Sequence, residues 1–378
     1  MSEIKVNSIK GVGASTAAIT INNSDGTCTA NVTNNLSNKN IIINGSMIVD
    51  QRSNGSSADT TGASYISCDR FGSAYAAASK FTMQQIASTL AGFEKALKIT
   101  SSGTTSASNQ HYLMRYVIEG HDSARLALGT SSAKTFTLSF YVKGSIAGDY
   151  SVAFANGSDN RVYATTYNIA SADTWERKTI TLTGDTSGTW ATNNTEGMEI
   201  KWDLGSGSDH NVSAANQWLG EDKLKVSGTV NLVATNAATL EFTGVQLEVG
   251  SVATDFEHRS FGQELALCQR YFLHYDSSDA IFARYGLGIS TSGTTCPTRI
   301  EFPVQMRTVP TLTSAGNLQI SSAAAGYAVT GLTIETNTCT KNVGQVVATV
   351  SSGLTAHKPY YLESNNNNSS KVQFSAEL

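Results

Sequence analysis

Glu199 and Asp203 are the two acidic side chains whose spacing could support catalysis, because they point to the same face of one predicted strand. Hydrolysis of a glycosidic bond uses two carboxyl groups about 5 to 9.5 Å apart, so the pair could belong to the groove of a polysaccharide-cutting enzyme. Lys201 lies between them and would neutralise both acids. A solvated strand face is the simpler interpretation, so we expect no catalytic residues and no enzymatic activity.

Four aromatic side chains could instead bind a sugar, since a flat ring packs against the C–H face of a pyranose while polar groups bind its hydroxyls. Trp190 and Trp218 lie in loops rich in Gly, Asn and Thr. Tyr65 and Tyr75 flank the dipeptide Asp69-Arg70. Packing at the ends of a β-sandwich is the alternative role for the two tryptophans.

Other polar groups form few recognisable sites. Asp50, Asp69 and Arg70 are predicted to form a buried ion network near the start of the first folded module. Asp and Asn oxygens in the loops are possible calcium ligands, but no D-x-D-x-D-G segment supplies the spacing of a calcium loop. We therefore predict no metal site and no cofactor.

Cysteine and histidine usage gives no sign of metal or nucleotide chemistry. The sequence contains no C-x-x-C pair, no P-loop, no G-x-S-x-G and no H-E-x-x-H. The odd number of cysteines argues against a complete set of internal disulfides and favours assembly in a reducing cytoplasm. We expect buried free thiols at Cys28, Cys68, Cys268, Cys296 and Cys339. We expect surface or hydrogen-bonded imidazoles at His111, His121, His210, His258, His274 and His357.

The charge balance of the chain excludes some partners. Charged residues make up only 15% of the 378 residues, and the net charge is −4. Binding a phosphate backbone needs clustered Lys and Arg, so we expect no nucleic-acid partner. No run approaches the ~18 apolar residues of a membrane span, and the first ten residues contain no apolar signal core, so we expect no membrane insertion.

Short alternating runs separated by turns extend from about residue 41 to residue 257 and predict one antiparallel sandwich or jelly roll. One run places Phe136, Leu138, Phe140 and Val142 on a single face. Further strands are predicted at residues 150–154, 180–182, 198–204 and 230–232. Only residues 122–128 are typical of a helical turn.

Residues 1–40 alternate in the same manner but contain no aromatic side chain, so they cannot build a core alone. Short sheet segments need additional strands to be stable, which predicts pairing with other chains or with a docking partner. A disordered linker is the alternative interpretation.

A strand-to-helix junction ends the sandwich. Val245, Leu247 and Val249 alternate with polar residues, the period of a strand with one buried face. Ser260 and Gln263 then form a capping box, which begins a helix over about residues 260–272. An apolar stripe at helical spacing consists of Phe261, Leu265, Cys268 and Phe272.

All four prolines fall after residue 290, at positions 297, 303, 310 and 359. They predict a second, smaller β-domain over residues 258–378, with edge strands or bulges where a ladder donor is missing. Residues 371–374 are predicted to form its last strand.

The junction resembles a known family. Residues 244–272 read G-V-Q-L-E-V-G-S-V-A-T-D-F-E-H-R-S-F-G-Q-E-L-A-L-C-Q-R-Y-F, similar to the junction of many bacteriophage tail-fibre and related virion proteins. The segment N-I-I-I-N-G-S-M-I-V-D-Q-R at 40–52, with C-D-R-F at 68–71, resembles the opening of the jelly-roll, carbohydrate-binding-like module of that family. Residues 118–144 and 174–183 resemble its middle strands, and residues 301–311 resemble the entry to its C-terminal β-domain. Asp255 stands where the family usually has proline.

The resemblance, which covers about residues 40–311, implies an all-β virion protein with three parts. These are an attachment and oligomerisation segment (1–40), a jelly-roll module (41–257), and a short helix followed by a C-terminal β-sandwich tip (258–378). It implies a homotrimer that assembles in the host cytoplasm, attaches to other phage tail or virion proteins through residues 1–40, and adheres to host surface polysaccharide.

Two other functions remain open. One is a purely structural virion component of the neck, tail or a decoration fibre, which burial of all four candidate aromatic side chains would favour. The other is a polysaccharide depolymerase, although the repeated rungs of a β-helix are not found at any fixed period.

Overall fold

The structure is a computed structural model that describes residues 8–9, 19–21, 28–30, 38–59, 65–323 and 325–378. Most of the predicted attachment segment 1–40 lies outside the described residues. From it, β1 (Ser8–Ile9), β2 (Ile19–Ile21) and β3 (Cys28–Ala30) form a three-stranded antiparallel sheet. Its pairing with other chains or with a docking partner therefore stays a prediction.

Two six-stranded antiparallel sheets form a sandwich, as the alternating pattern predicts. The strands are, in chain order, β4 (Ala58–Asp59), β5 (Phe71–Tyr75), β6 (Phe81–Ala87), β7 (Lys95–Ser101), β8 (Tyr112–Glu119), β9 (Phe136–Gly144), β10 (Gly148–Ala155), β11 (Val162–Ile169), β12 (Glu176–Leu182), β13 (Glu196–Asp203), β14 (Trp218–Leu219) and β15 (Thr239–Val249). Sheet I has the order β14-β11-β10-β13-β8-β5, and sheet II has the order β12-β9-β15-β7-β6-β4. The all-β class is thus confirmed.

The core of the sandwich lies between the two sheets and is rich in aromatic rings. Phe140 of sheet II contacts Tyr167 and Trp202 of sheet I edge to face, with ring centroids 5.1 Å and 6.0 Å apart. Burial of each such side chain contributes roughly 1.5 to 3 kcal/mol. The apolar faces of β9 and β13 therefore hold the sheets together and leave the opposite faces available for other contacts.

Of two connections between strands, the one after β8 was predicted correctly and the one before β15 was not. The expected helical turn near residue 122 is confirmed as α1 (Gly120–Ser123), followed by a 3-10 turn (Ala124–Leu126). The strand predicted at 230–232 is wrong, because Leu232–Ala234 is a 3-10 turn. The side chain of Asn231 accepts a hydrogen bond from the backbone N–H of Ala234 at 3.1 Å, which stabilises the turn over an extended strand. A third 3-10 turn is Ser208–His210.

β15 is buried on both faces, which corrects the prediction of one buried face. Gln246 and Glu248 are buried although they are polar. The chain after β15 folds back over them: Glu248 accepts a hydrogen bond from the Thr254 backbone N–H at 2.9 Å, and Gln246 accepts one from the Glu257 N–H at 2.8 Å. Burial is favourable here because these polar groups find partners.

The predicted helix is shorter than expected. α2 (Phe261–Gln269) begins with the predicted capping box of Ser260 and Gln263. Its apolar stripe is incomplete, because Phe261 is exposed and Phe272 belongs to the next strand. The hydroxyl of Tyr271 donates to Glu119 at 2.7 Å, which holds the chain to the sandwich where the helix has ended.

The nine described C-terminal strands do not form the predicted sandwich, because six of them close into a barrel. They are β16 (Phe272–Asp276), β17 (Arg284–Ile289), β18 (Thr295–Glu301), β19 (Thr311–Ala315), β20 (Leu318–Ser321), β21 (Gly326–Ile334), β22 (Val343–Val350), β23 (Pro359–Ser364) and β24 (Lys371–Ser375). The barrel order is β17-β18-β22-β21-β20-β23, and β23 pairs with β17 to complete the ring. Because the ring is closed, none of its strands keeps a free edge. β16, β24 and β19 form a small separate sheet.

A buried ion network joins the sandwich to the C-terminal domain. Asp69 pairs with Arg52 at 3.0 Å, and Arg70 and Arg52 both pair with Glu377. The predicted network is therefore present, but Asp50 contributes differently, by accepting hydrogen bonds from backbone N–H groups of the turn that follows it. The network links segments more than 300 positions apart.

The described cysteine side chains are buried free thiols, as predicted: Cys68, Cys268, Cys296 and Cys339. The side chain of Cys28 lies outside the described residues. Among the residues with described structure, we find no helix whose length and apolar character would suffice to cross a bilayer.

Candidate functional site

Trp190, from the connection between β12 and β13, meets Trp218, which lies on β14, the edge strand of sheet I. Their ring centroids lie 5.4 Å apart at 87°, and Trp218 also contacts Tyr163, the residue opposite it on β11. Both indole N–H groups donate to backbone carbonyls, Trp190 to Ser187 at 3.1 Å and Trp218 to Thr183 at 2.8 Å. Trp190 is only 9% exposed. Trp218 and Tyr163 are partly exposed and could offer ring surface to a ligand.

Tyr65 lies where the sandwich meets the C-terminal domain. The guanidinium groups of Arg52 and Arg115 lie 5.6 Å and 5.8 Å from the centre of its ring. Burial, and then the charge of Glu377, raise the pKa of Tyr65 to about 12. Its ring is therefore engaged by cations of the same chain.

Tyr75 occupies a third place. It lies opposite Tyr112 at the end of β5 and packs against the sandwich core. The structure thus brings together two of the four candidate aromatic residues and keeps the other two apart. Their contact with a sugar stays a prediction.

A groove on the outward face of sheet I is the best candidate for a binding site in the described part of the chain. It has a volume of about 410 Å³. Strands β5, β8 and β13 form its floor, and the long connection 204–230 forms one wall. Its polar lining consists of His111, Arg115, Asp159, Glu199, Lys201, Asp209, His210, Asp222 and Lys223. We call it the polar groove.

Strand alternation explains why these polar groups share one face. On β13, Ile200 and Trp202 point into the core while Glu199 and Lys201 line the groove. On β8, Arg115 lines the groove between two core residues. The same alternation that builds the core therefore builds the floor of the groove.

Glu199 and Lys201 are buried and paired, and Arg115 is partly buried and paired, which corrects the prediction of a solvated strand face. Glu199 contacts Arg115 at 3.2 Å and Lys201 at 3.1 Å, and Lys201 also contacts Asp159 at 2.5 Å. Burial alone would lower the pKa of Lys201, but the carboxylates of Glu199 and Asp159 outweigh it and the pKa is raised. Lys201 and Arg115 therefore both stay charged at neutral pH.

The wall of the groove carries two histidines. The rings of His111 and His210 meet edge to face with centroids 5.6 Å apart. Burial lowers the pKa of His111, and the nearby His210 and Lys201 lower it further. At neutral pH its imidazole is therefore uncharged and has one hydrogen-bond donor and one acceptor.

The acid pair considered for catalysis is not assembled. Asp203 lies away from the groove, where its carboxylate accepts a hydrogen bond from the Ser206 N–H at 2.9 Å and lies 3.5 Å from Lys225. Glu196, at the start of β13, has a pKa raised to about 7 by burial and by the charge of Glu199. Glu199 is engaged by two cations, Arg115 and Lys201. The floor is equipped for hydrogen bonding to a polar ligand.

A larger cavity of about 730 Å³ lies beside α2. Its polar groups hold the chain together: Glu257 accepts the Asn40 N–H at 2.7 Å, and Arg259 pairs with Glu264 at 3.0 Å. In the described part of the chain, no cluster of His, Cys, Asp and Glu is suited to holding a metal ion.

Sequence reasoning missed most of the groove. Arg115 is the only charged side chain inside the run Y-L-M-R-Y-V-I at 112–118, and this could have signalled a polar position on an otherwise buried strand. His111, Asp159 and Asp222 lie in turns and carry no local signal. Only the fold brings them together.

Comparisons with known proteins give weak likenesses. No family model and no curated protein matches the chain. Among solved structures, the enzymatically active domain of bacteriophage CBA120 tailspike protein 4 has a TM-score of 0.28 at 11% identity, over 56% of this chain. The match spans only 22% of that tailspike chain.

Two carbohydrate-binding modules give similar values. A family 11 module of a cellulosomal cellulase from Clostridium thermocellum has a TM-score of 0.28 at 14% identity, covering 54% of this chain and 98% of the module. TmCBM61 in complex with β-1,4-galactotriose has a TM-score of 0.27 at 8% identity, covering 56% and 99%.

Proposed function

We propose that this protein is a bacteriophage tail-fibre or tail-associated virion protein that adheres to host surface glycan without cleaving it. The polar groove is the observation that carries the proposal. It offers closely spaced donors and acceptors on a rigid sheet, which suits a ligand with many hydroxyl groups. The sequence resemblance of residues 40–311 to tail-fibre proteins adds the virion context.

Avidity is part of the proposal. A shallow groove of this size gives weak binding at one site, and linking several copies raises the overall affinity without any new contact. A homotrimer attached to other tail proteins through residues 1–40 would provide those copies. Antibodies against the protein should then label the tails of purified particles.

Binding to a panel of bacterial cells and to a glycan array tests the groove. We expect His111→Ala and Asp222→Ala to weaken binding at least tenfold, because each removes a hydrogen-bonding group from the lining. His121→Ala and Asp279→Ala change exposed residues outside the groove and serve as matched controls. Wild-type binding by both groove variants would refute the assignment.

A structural role in the virion is the second candidate. It is favoured by Trp190 and Tyr65, whose rings are packed against other parts of the chain. Under this alternative the folded wild-type protein binds no cell and no glycan. A depolymerase would instead release new reducing ends from host polysaccharide, which we expect not to occur because Glu199 is held by two cations.

A further inference from the structure

The polar groove has more carboxylates than cations in its lining. Four carboxylates and three cations line it, so apart from the two histidines its formal charge is three positive against four negative, or −1. The carboxylates are Asp159, Glu199, Asp209 and Asp222, and the cations are Arg115, Lys201 and Lys223. Which of these groups a ligand can use depends on the partners they already have.

The three cations are already engaged by acceptors of the protein. Arg115 and Lys201 both contact Glu199, at 3.2 Å and 3.1 Å. Lys223 donates to the backbone carbonyl of Asp209. A ligand with a carboxylate would therefore compete with these protein acceptors for each cation.

Asp222 and His111 are not engaged in this way. Among the described residues, the Asp222 side chain has no hydrogen bond and no ion pair, and it is exposed to solvent. The His111 side chain has no hydrogen bond there either, and it meets His210 only through the faces and edges of the rings. Burial, His210 and Lys201 lower the pKa of His111 and Asp222 opposes them, which places the Asp222 carboxylate near the imidazole.

The chemistry of this pair favours one kind of ligand group. The Asp222 carboxylate only accepts hydrogen bonds, and the uncharged imidazole of His111 has one acceptor nitrogen. A protonated amine has three donors and no acceptor, whereas a hydroxyl has a single donor. A hydrogen bond between an ammonium and a carboxylate is also stronger than one between neutral groups. An acidic group would meet a like charge at Asp222.

We propose that the polar groove selects a saccharide that carries a free, protonated amino group, and that this group binds at Asp222 beside His111. The inference rests on the proposed function, since it names the class of glycan for the same groove. No Trp, Tyr or Phe ring is among the described residues that line the groove. Selectivity among glycans therefore depends on hydrogen bonds and charge, and the amino group supplies both.

A glycan array that carries amine-bearing oligosaccharides beside their N-acetylated counterparts tests this selectivity. Acetylation removes the charge of the amine and leaves the sugar backbone unchanged. At about pH 6.5 the amine is protonated, and about 0.15 M salt screens the attraction of a cation to distant acidic groups of the chain. We expect the wild type to bind the free amines at least fivefold more tightly, a modest ratio because Asp222 is exposed. Equal or weaker binding of the free amines would overturn the proposal.

Substitution of Asp222 shows whether this carboxylate causes the selectivity. Asp222→Asn keeps the shape of the side chain and removes its charge, so the ratio between free and acetylated amines should fall below twofold. Asp279→Asn removes the same charge at an exposed position outside the groove and should keep the wild-type ratio. A wild-type ratio in Asp222→Asn would contradict the assignment. Equal thermal unfolding midpoints for both variants establish that the fold is kept.

Failure of this inference and failure of the proposed function give different results. Tight binding of neutral or acidic glycans that is lost in His111→Ala would keep the groove as the binding site and refute its selectivity for amines. Absence of binding to every glycan by the folded wild type would refute both. Binding of free amines that survives in both His111→Ala and Asp222→Asn would show that the amine binds elsewhere on the chain.

Discussion

Arg115 on β8 and Lys201 on β13 lie directly opposite one another on the floor of the polar groove. Like charges in this position destabilise a sheet. Glu199 contacts both cations, at 3.2 Å and 3.1 Å, and offsets their repulsion. Glu199 is therefore the one carboxylate that both cations share, while Asp159 pairs with Lys201 alone.

Replacing that carboxylate should destabilise the sandwich. We expect Glu199→Gln to lower the free energy of unfolding by about 3 kcal/mol, because two largely buried cations lose their common partner. Urea unfolding followed by tryptophan fluorescence measures the change. Glu301→Gln, which breaks an exposed pair with Arg299, is the control and should leave the midpoint unchanged. Equal midpoints for both variants would show that the pairing contributes nothing.

Glu196 and Asp69 should each contribute stability that falls as the pH rises from about 5 to 8. Burial first, and then the charge of Glu199, raise the pKa of Glu196 to about 7, and burial raises the pKa of Asp69 to about 6 in spite of Arg52. Both groups bind protons more tightly in the folded state, so their contribution is fully present below the ordinary carboxyl pKa and is lost as the pH passes the folded value.

Substitution of Glu196 measures how much this residue contributes to the change of unfolding free energy with pH. Glu196→Gln should flatten the dependence of unfolding free energy on pH between 5 and 8, by on the order of 1 to 2 kcal/mol. Glu94→Gln changes a residue whose side chain is 78% exposed and should leave the slope as in the wild type. An unchanged slope in Glu196→Gln would rule out this assignment.

Trp190 and Trp218, whose rings meet at the edge of sheet I, should respond differently to truncation. Trp190→Ala should cost about 3 to 5 kcal/mol of unfolding free energy, since the ring is buried in the core. Trp218→Ala should cost less because its ring is partly exposed. If Trp218 contacts a sugar as predicted, Trp218→Ala also loses glycan binding while Trp218→Phe retains part of it.

The contact between the sandwich and the C-terminal domain depends on Glu377. Glu377→Gln leaves the fully buried Arg70 without its anion and should cost about 3 to 5 kcal/mol. Hydrogen exchange should quicken at Arg52 and Tyr271, which border this contact. Asp279→Asn, at an exposed position, provides the comparison. Unaltered exchange at the border residues would contradict the role of this ion pair.

Much of the fold followed from alternation, because a strand that buries one face shows a period of two in any sequence. The strands around Phe136, Tyr150, Ile180 and Met198 were predicted for this reason. Alternation could not reveal that Glu199 and Gln246 are buried as well. Their burial depends on segments that fold over the outer face later in the chain, and such coverage leaves no local pattern.

The candidate site was predicted less well than the fold. Glu199 and Lys201 were recognised as neighbours on one face, but Arg115 comes from the neighbouring strand β8, and the imidazoles of His111 and His210 come from connections outside β13. Trp190 and Trp218 were chosen by their loop context, and that context does not separate a ring that contacts a ligand from one that closes the core, as Trp190 does.

The backbone N–H of Ile41 donates to the carbonyl of Leu247 at 2.8 Å, across more than 200 positions. Residues 41–49 therefore leave the ribosome long before the strand that covers them has been made. Contacts of such separation form slowly, and until they form, the apolar run I-I-I at 41–43 stays available for wrong pairing. The order of synthesis makes this opening segment the part of the nascent chain most in need of protection by chaperones.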